Sequence, residues 1–433
     1  MLTAIFASTI MLSAFLVFWV QPLAAKMLLP HFGGSPAVWT TSMVFFQTCL
    51  LIGYGYAHFL VQHVRPKIQL VVHMTILAGG WLLLPFAMPE GLLASSLQWA
   101  PPLRLMLVLV VAVGLPFTII TATSPLLQVW FARTSHPDAD DPYFLYGASN
   151  LGSLLSLLLF PLLFETRWLI SDQSGYWKIC YLLLFVLIAA SFTAIGVAPR
   201  NAVVSKDERG GEPVAWSKRL TWVGYALVPS ALLNSFSLKL STDIAAAPLL
   251  WVVPLAIYLL TFVIVFARKP PIPHWLVVRL APAAGLLLML LPSVESQLLG
   301  LVLHLPAYFI LTLLCHGELV KRRPGHHHLT AFYLWMSVGG IAGGVLTALV
   351  APHLFDTLLE YPLALAASLF LLPAAAGERF STWKKDLAIA LAVGGALLLI
   401  TRVPVGWKLS GTWLVILNGR VLISMAIVGF LIY

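Results

Sequence analysis

Charge is what this sequence lacks most. Asp, Glu, Lys and Arg make up 9% of its 433 residues, against roughly 25% in a soluble protein. Mean hydropathy is +0.94, and apolar runs long enough to cross a bilayer recur from end to end. A water-soluble fold is thereby excluded. Polar–apolar alternation is missing too, which excludes a membrane β-barrel. A helical bundle remains, because backbone polar groups in lipid must be satisfied within their own segment. The expected fold class is an all-α integral membrane protein.

Other absences narrow the function. Only three cysteines occur (Cys49, Cys180, Cys315), without CxxC spacing, which argues against a disulfide framework and a zinc site. GxGxxG, Walker A, GxSxG and HExxH patterns are missing. No catalytic residue, metal or cofactor is therefore expected. His326, His327 and His328 are adjacent, but neighbouring positions do not share a helix face, so a solvated loop is the better account. The net charge of +9 is spread along the chain rather than gathered on a soluble domain. It predicts no nucleic-acid partner. The partner expected from composition is the lipid bilayer. The first apolar run is too long for a cleaved signal peptide and lacks a basic leader, so it is expected to be a retained helix.

What is present is a series of about 14 predicted transmembrane helices. Six fall within 1–197, from Leu2–Leu29 to Tyr176–Val197. A polar linker occupies 198–218. Six more fall within 219–378, from Leu220–Leu240 to Pro362–Leu372. Two additional helices are predicted in 379–433, near Leu387–Ile400 and Trp413–Ile432. The even-numbered loops hold most of the Lys and Arg, among them Arg65, Lys67, Arg133, Arg268, Lys269 and Arg322. By the positive-inside rule those loops, the linker and both termini face the cytoplasm.

The chain also repeats itself. Gln21 to Trp39 (QPLAAKMLLPHFGGSPAVW) and Asn234 to Trp251 (NSFSLKLSTDIAAAPLLW) each carry a Lys, then small residues, then Pro-x-x-Trp. Leu115-Pro116 matches Leu305-Pro306, and Pro161 to Glu165 matches Pro352 to Asp356, at nearly equal spacings. Six helices per half starting on the same side predict two parallel six-helix repeats, a major-facilitator-like arrangement.

Polar residues inside such runs are the candidates for substrate binding or gating. Lys26 and Lys239 sit near predicted external helix ends. A snorkelling anchor is the plainer account of each. The sharper one pairs Lys26 with Glu165 and Lys239 with Asp356, with Asp243 as a rival partner. Gln21, Gln47, Asn150 and Asn234 suggest a polar interior, although each amide alone could be a structural hydrogen bond. His316 and Glu318, near the end of the tenth helix, are candidates for a proton-linked or gating role. Gly339-Gly340-x-x-Gly343-Gly344 and Gly147 to Ser153 (GASNLGS) place small residues at helical spacing, which suits tight helix packing.

QPLAAKMLLPHFGGSPAVWTT, YFLYGASNLGSLLSLLLFPLLFE and CHGELVKRRPGHHHLTAFYLWMSVGGIAGG resemble the membrane part of the bacterial fused major-facilitator / spermidine synthase-like family. In that family the helices precede a cytoplasmic domain resembling polyamine aminopropyltransferases. No position here matches a residue of that domain. A membrane-only relative, or a chain without its catalytic part, is the expectation. The resemblance implies a bacterial inner-membrane protein and leaves two functions open. One is a transporter-like protein with a pathway for a small polar or cationic substrate, possibly a polyamine. The other is a non-transporting anchor for a cytoplasmic synthase-like domain or partner.

Overall fold

The computed structural model describes residues 2–93, 100–197, 214–243, 251–290, 297–355 and 359–373. Both helices expected in 379–433, residues 198–213 of the linker, residues 244–250 of the second Pro-x-x-Trp copy and Asp356 lie outside the described residues. Among the described residues, twelve main helices follow in chain order. They are α1 (Leu2–Phe32), α2 (Pro36–His63), α3 (Pro66–Leu82), α4 (Pro101–Ala132), α5 (Phe144–Arg167) and α6 (Ile170–Val197). Then come α7 (Trp216–Asp243), α8 (Val252–Val265), α9 (His274–Leu290), α10 (Gln297–Lys321), α11 (His326–Leu354) and α12 (Glu360–Phe370). Among the described residues seven of these, α1, α2, α4, α5, α6, α10 and α11, contain spans long and apolar enough to cross a bilayer.

Several boundaries differ from the sequence expectation. α10 runs past Cys315 to Lys321 because Glu318 finds cationic partners there, described below. α7 begins at Trp216, so the last residues of the expected linker are helical. α6 starts at Ile170, with Asp172 in its first turn, where a carboxylate suits the positive end of the helix dipole.

The corner between α1 and α2 shows how local sequence sets the chain path. Gly33 adopts φ +74°, a left-handed conformation that favours glycine. Its N–H bonds the Leu29 carbonyl at 3.0 Å and ends α1. Ser35 then caps α2 by accepting from the Val38 N–H at 3.5 Å, and Pro36 occupies the first turn, where its missing N–H costs nothing.

Wide π turns interrupt α4 at Val110–Gly114, α5 at Phe160–Phe164 and α11 at Leu346–Val350. Each contains or shortly precedes a proline (Pro116, Pro161, Pro352). The proline ring cannot accommodate the carbonyl four residues back, and the extra residue relieves that clash.

α1 packs on α5, α6 and α4, and α7 packs on α11, α12 and α10. The two sets meet where α2 crosses α11 and α8 crosses α5. Glycines set the closest approaches. A Cβ on Gly152 of α5 would collide with the Met11 carbonyl of α1. On α11, Gly339 and Gly343 lie against the Val223 and Leu227 carbonyls of α7. The two small-residue stretches seen in the sequence thus serve the close approaches of α5 to α1 and of α11 to α7.

Substituting Gly152→Ala or Gly343→Ala should destabilise the purified protein by about 1–3 kcal/mol through overpacking. Gly79→Ala, in α3 with nothing within 4 Å of the added methyl, should be neutral or stabilising by up to about 1 kcal/mol. Thermal unfolding in detergent checks the contrast. Equal effects at all three positions would remove the packing account.

Candidate central binding site

A cavity of about 210 Å³ lies between the two helix sets. α1, α2, α4 and α5 line it from one side, and α7, α8 and α11 from the other. On α1 the lining positions Ser13, Val17 and Gln21 recur every four residues, so one helix face serves the whole depth of the wall. Three of the four amides singled out in the sequence, Gln21, Gln47 and Asn150, line the cavity. Asn234 does not. Its Nδ2 donates to the Ser230 carbonyl at 2.9 Å, within its own helix. Among the described residues, every one that lines the cavity is uncharged, and none is a histidine.

The wall is polar in a particular way. Ser13 donates to the Ile120 carbonyl at 3.1 Å, Ser153 to Ser149 at 3.2 Å and Ser230 to Gly340 at 2.7 Å. Asn150 Nδ2 donates to the Tyr146 carbonyl at 2.8 Å, and Gln21 Nε2 to Val17 at 3.3 Å. Gln47 lies against Gly344 of α11, and its Oε1 is buried without a partner.

On the even-loop side the two sets are joined by an aromatic cluster. Tyr146 of α5 stacks on Tyr333 of α11, ring centroids 4.8 Å apart. Tyr333 donates to Gln128 Oε1 of α4 at 2.6 Å. Tyr143 donates to the Pro324 carbonyl at 3.0 Å, and Phe262 of α8 and Phe266 just beyond its end pack on Tyr146. Beyond this cluster the α4–α5 loop reaches both loops of the other set. Asp138 pairs with Arg268 at 2.6 Å and Asp141 with Arg323 at 2.7 Å. The sequence reading missed these acids, although the run His136 to Tyr143 (HPDADDPY) concentrates three carboxylates in one short loop.

The odd-loop side holds a different contact. Lys26 of α1 pairs with Glu165 of α5, as one sequence alternative had it, and its ammonium lies 5.9 Å from the Phe160 ring centroid. Both partners belong to the first helix set, so this pair does not bridge the sets. Lys239 lies 5.9 Å from the Tyr361 ring centroid. Asp243 is the last residue of α7.

His316 and Glu318 face different neighbours. His316 stacks on Phe262 at 3.7 Å, and its Nδ1 lies 2.8 Å from Thr261 Oγ1. Glu318 is 1% exposed and is held by His274 Nε2 at 2.6 Å, Lys321 Nζ at 3.1 Å and Arg322 at 2.5 Å. Gly317 makes this possible, because the His274 ring occupies the space a side chain would take. Two further buried amides act as staples. Gln69 donates to the Leu60 and Val64 carbonyls and accepts from Trp130. Gln173 donates to the Phe164 and Trp168 carbonyls and accepts from Trp19 at 3.5 Å. Among the described residues no group of three His, Cys, Asp or Glu is placed to hold a metal.

No protein-family model matches the sequence, and no curated protein does. The likeness to spermidine synthase-like fusions finds no support there. Solved structures do match over most of the chain. A peptide transporter in complex with sulfate aligns with a TM-score of 0.52 at 14% identity, covering 90% of this chain and 94% of that one. A proton:xylose symporter of the major facilitator superfamily, bound to 6-bromo-6-deoxy-D-glucose, aligns at 0.53 and 11%, covering 88% and 95%. A human organic anion transporter aligns at 0.53 and 12%, covering 86% and 98%. At such identity the likeness concerns the fold alone: the chain is an all-α, multi-pass membrane protein with a major-facilitator-like fold.

Proposed function

We propose that this chain is a secondary transporter that carries a small polar solute through the central cavity by alternating access. One observation carries the proposal. The cavity lies where two helix sets meet, and it is closed on the even-loop side by contacts made between the sets rather than within them. Such a join is a hinge-type interface that can open without unpacking either set. The recurrence of α1 contacts in those of α7 supports two duplicated six-helix halves, 1–197 and 219–378. The Lys and Arg distribution supports a cytoplasmic even-loop side, consistent with a bacterial inner membrane. The solved neighbours are named for peptides, xylose and organic anions, so they share the fold without sharing a substrate.

Two other possibilities fare less well. A polyamine would need carboxylates along its path, yet Glu165 is paired with Lys26 and Glu318 with three cations, and neither lines the cavity. A scaffold for a cytoplasmic synthase-like partner would have no use for a polar interior. Lys26 and Glu165 are assigned to the odd-loop mouth, where their pair steadies α1 against α5.

Spin labels at Ser135→Cys and Lys269→Cys, both exposed, test alternating access without knowledge of the substrate. Two distance populations are expected in nanodiscs. Asp138→Asn with Asp141→Asn should enrich the longer one about fivefold, from roughly 1 kcal/mol for partly exposed pairs. A single distance unmoved by the variants would leave a static scaffold. At the mouth, Lys26→Glu or Glu165→Lys alone should destabilise the protein by up to about 1 kcal/mol, read as a lower thermal midpoint. The double reversal should recover it, and a double variant as unstable as the two singles combined would dissolve the pair.

A further inference from the structure

We infer that the cavity selects a neutral, hydroxyl-rich small molecule of the polyol or monosaccharide class and rejects both polyamines and carboxylates. The inference rests on the transport reading of the same cavity and goes further, to the chemistry of what is carried.

The first ground is charge. Among the described residues the lining contains no Asp, Glu, Lys, Arg or His. A solute that leaves water as an ion must find an opposite charge or lose its hydration uncompensated. Charged groups near the lining in sequence offer none. Lys26, five residues beyond Gln21, is paired with Glu165, Asp141, five residues before Tyr146, with Arg323, and Glu318 is enclosed by His274, Lys321 and Arg322. Zwitterions fail for the same reason.

The second ground is the direction of the wall's hydrogen bonds. A hydroxyl has one proton and two lone pairs. Ser13, Thr121, Ser153, Ser230 and Ser337 all direct that proton to a backbone carbonyl. Toward a ligand they are acceptors only. The amides of Gln21 and Asn150 each bond a carbonyl of their own helix through nitrogen, which fixes their orientation. The Tyr54, Tyr146 and Tyr258 hydroxyls on the same lining can donate as well as accept, so the wall satisfies a ligand whose groups both donate and accept, and hydroxyl groups do both without charge.

The third ground is shape and surface. Tyr54, Tyr146, Tyr258 and Phe262 contribute aromatic walls between the polar positions. Alternating aromatic and hydrogen-bonding surface suits a molecule with C–H faces and hydroxyl edges. A volume of about 210 Å³ restricts it to a small member of the class.

The test is direct binding to the full chain in nanodiscs, read as a shift in thermal midpoint and by titration. The probes are xylitol, D-xylose and myo-inositol for the neutral class, spermidine for cations and citrate for anions. At least one neutral probe should bind, with an affinity unchanged between low and high salt, as expected without an ionic contact. Asn150→Leu and Gln21→Met should each weaken it about fivefold to tenfold, the loss of one neutral hydrogen bond. Ile179→Ala, on an exposed face of α6, should leave it unchanged. If Asn150→Leu does not fold, the near-isosteric Gln21→Met carries the comparison. Binding of spermidine or citrate with no neutral probe bound overturns the inference, and so does failure of every probe on folded protein. Two spin-label populations without polyol binding would keep transport and remove this substrate class. Polyol binding with a single population would do the reverse.

Discussion

A polar group in hydrocarbon has no water to fall back on, and that constraint organises this molecule more than any single contact. Hydroxyls along α1, α5, α7 and α11 turn to carbonyls of their own helix or of the helix beside them. Amides that cannot do so become staples, as Gln69 and Gln173 do at opposite ends of the first helix set. Buried charge survives only where it is surrounded, as at Glu318. The cavity is what is left when these demands have been met. Its polarity comes from the lone pairs that internal hydrogen bonding does not use.

The two ends of the cavity are governed by different forces. On the even-loop side, stacked aromatic rings and charge pairs join one helix set to the other. The rings contribute burial, which is insensitive to salt. The pairs are partly exposed and are screened by it. On the odd-loop side, the Lys26–Glu165 pair stays within one set. Closure on the two sides therefore need not respond together to ionic strength.

Much of the architecture could be read from composition and spacing, and the reasons are local. The Gly-Gly-Ser-Pro corner is fixed by residues that specify a left-handed terminus and a capped start, and it forms as written. The glycine stretches on α5 and α11 signal close approach because a backbone contact has few other sequence causes. Gln21, Gln47 and Asn150 were visible as amides out of place in lipid. Other features depend on partners far away in the chain. Asp138 and Asp141 look like ordinary loop acids until Arg268 and Arg323 are brought beside them. Asn234, like Asn150 an amide in an apolar run, bonds the carbonyl four residues back in its own helix, yet it misses the cavity. The lysine pairing was legible for Lys26 because Glu165 lies at the matching end of a neighbouring helix.

The wide turn in α5 has a geometric consequence. Phe160–Phe164 contains one residue more than an ordinary turn, and it lies between Asn150, which lines the cavity, and Glu165, which meets Lys26. An ordinary α-helix advances about 100° per residue, and a wide turn spreads its circuit over one residue more, so the insertion is absorbed locally and the faces before and after it keep their relation. Removing a single residue there would leave both the cavity wall and the carboxylate on their faces, and would return the clash between Pro161 and the carbonyl four residues back.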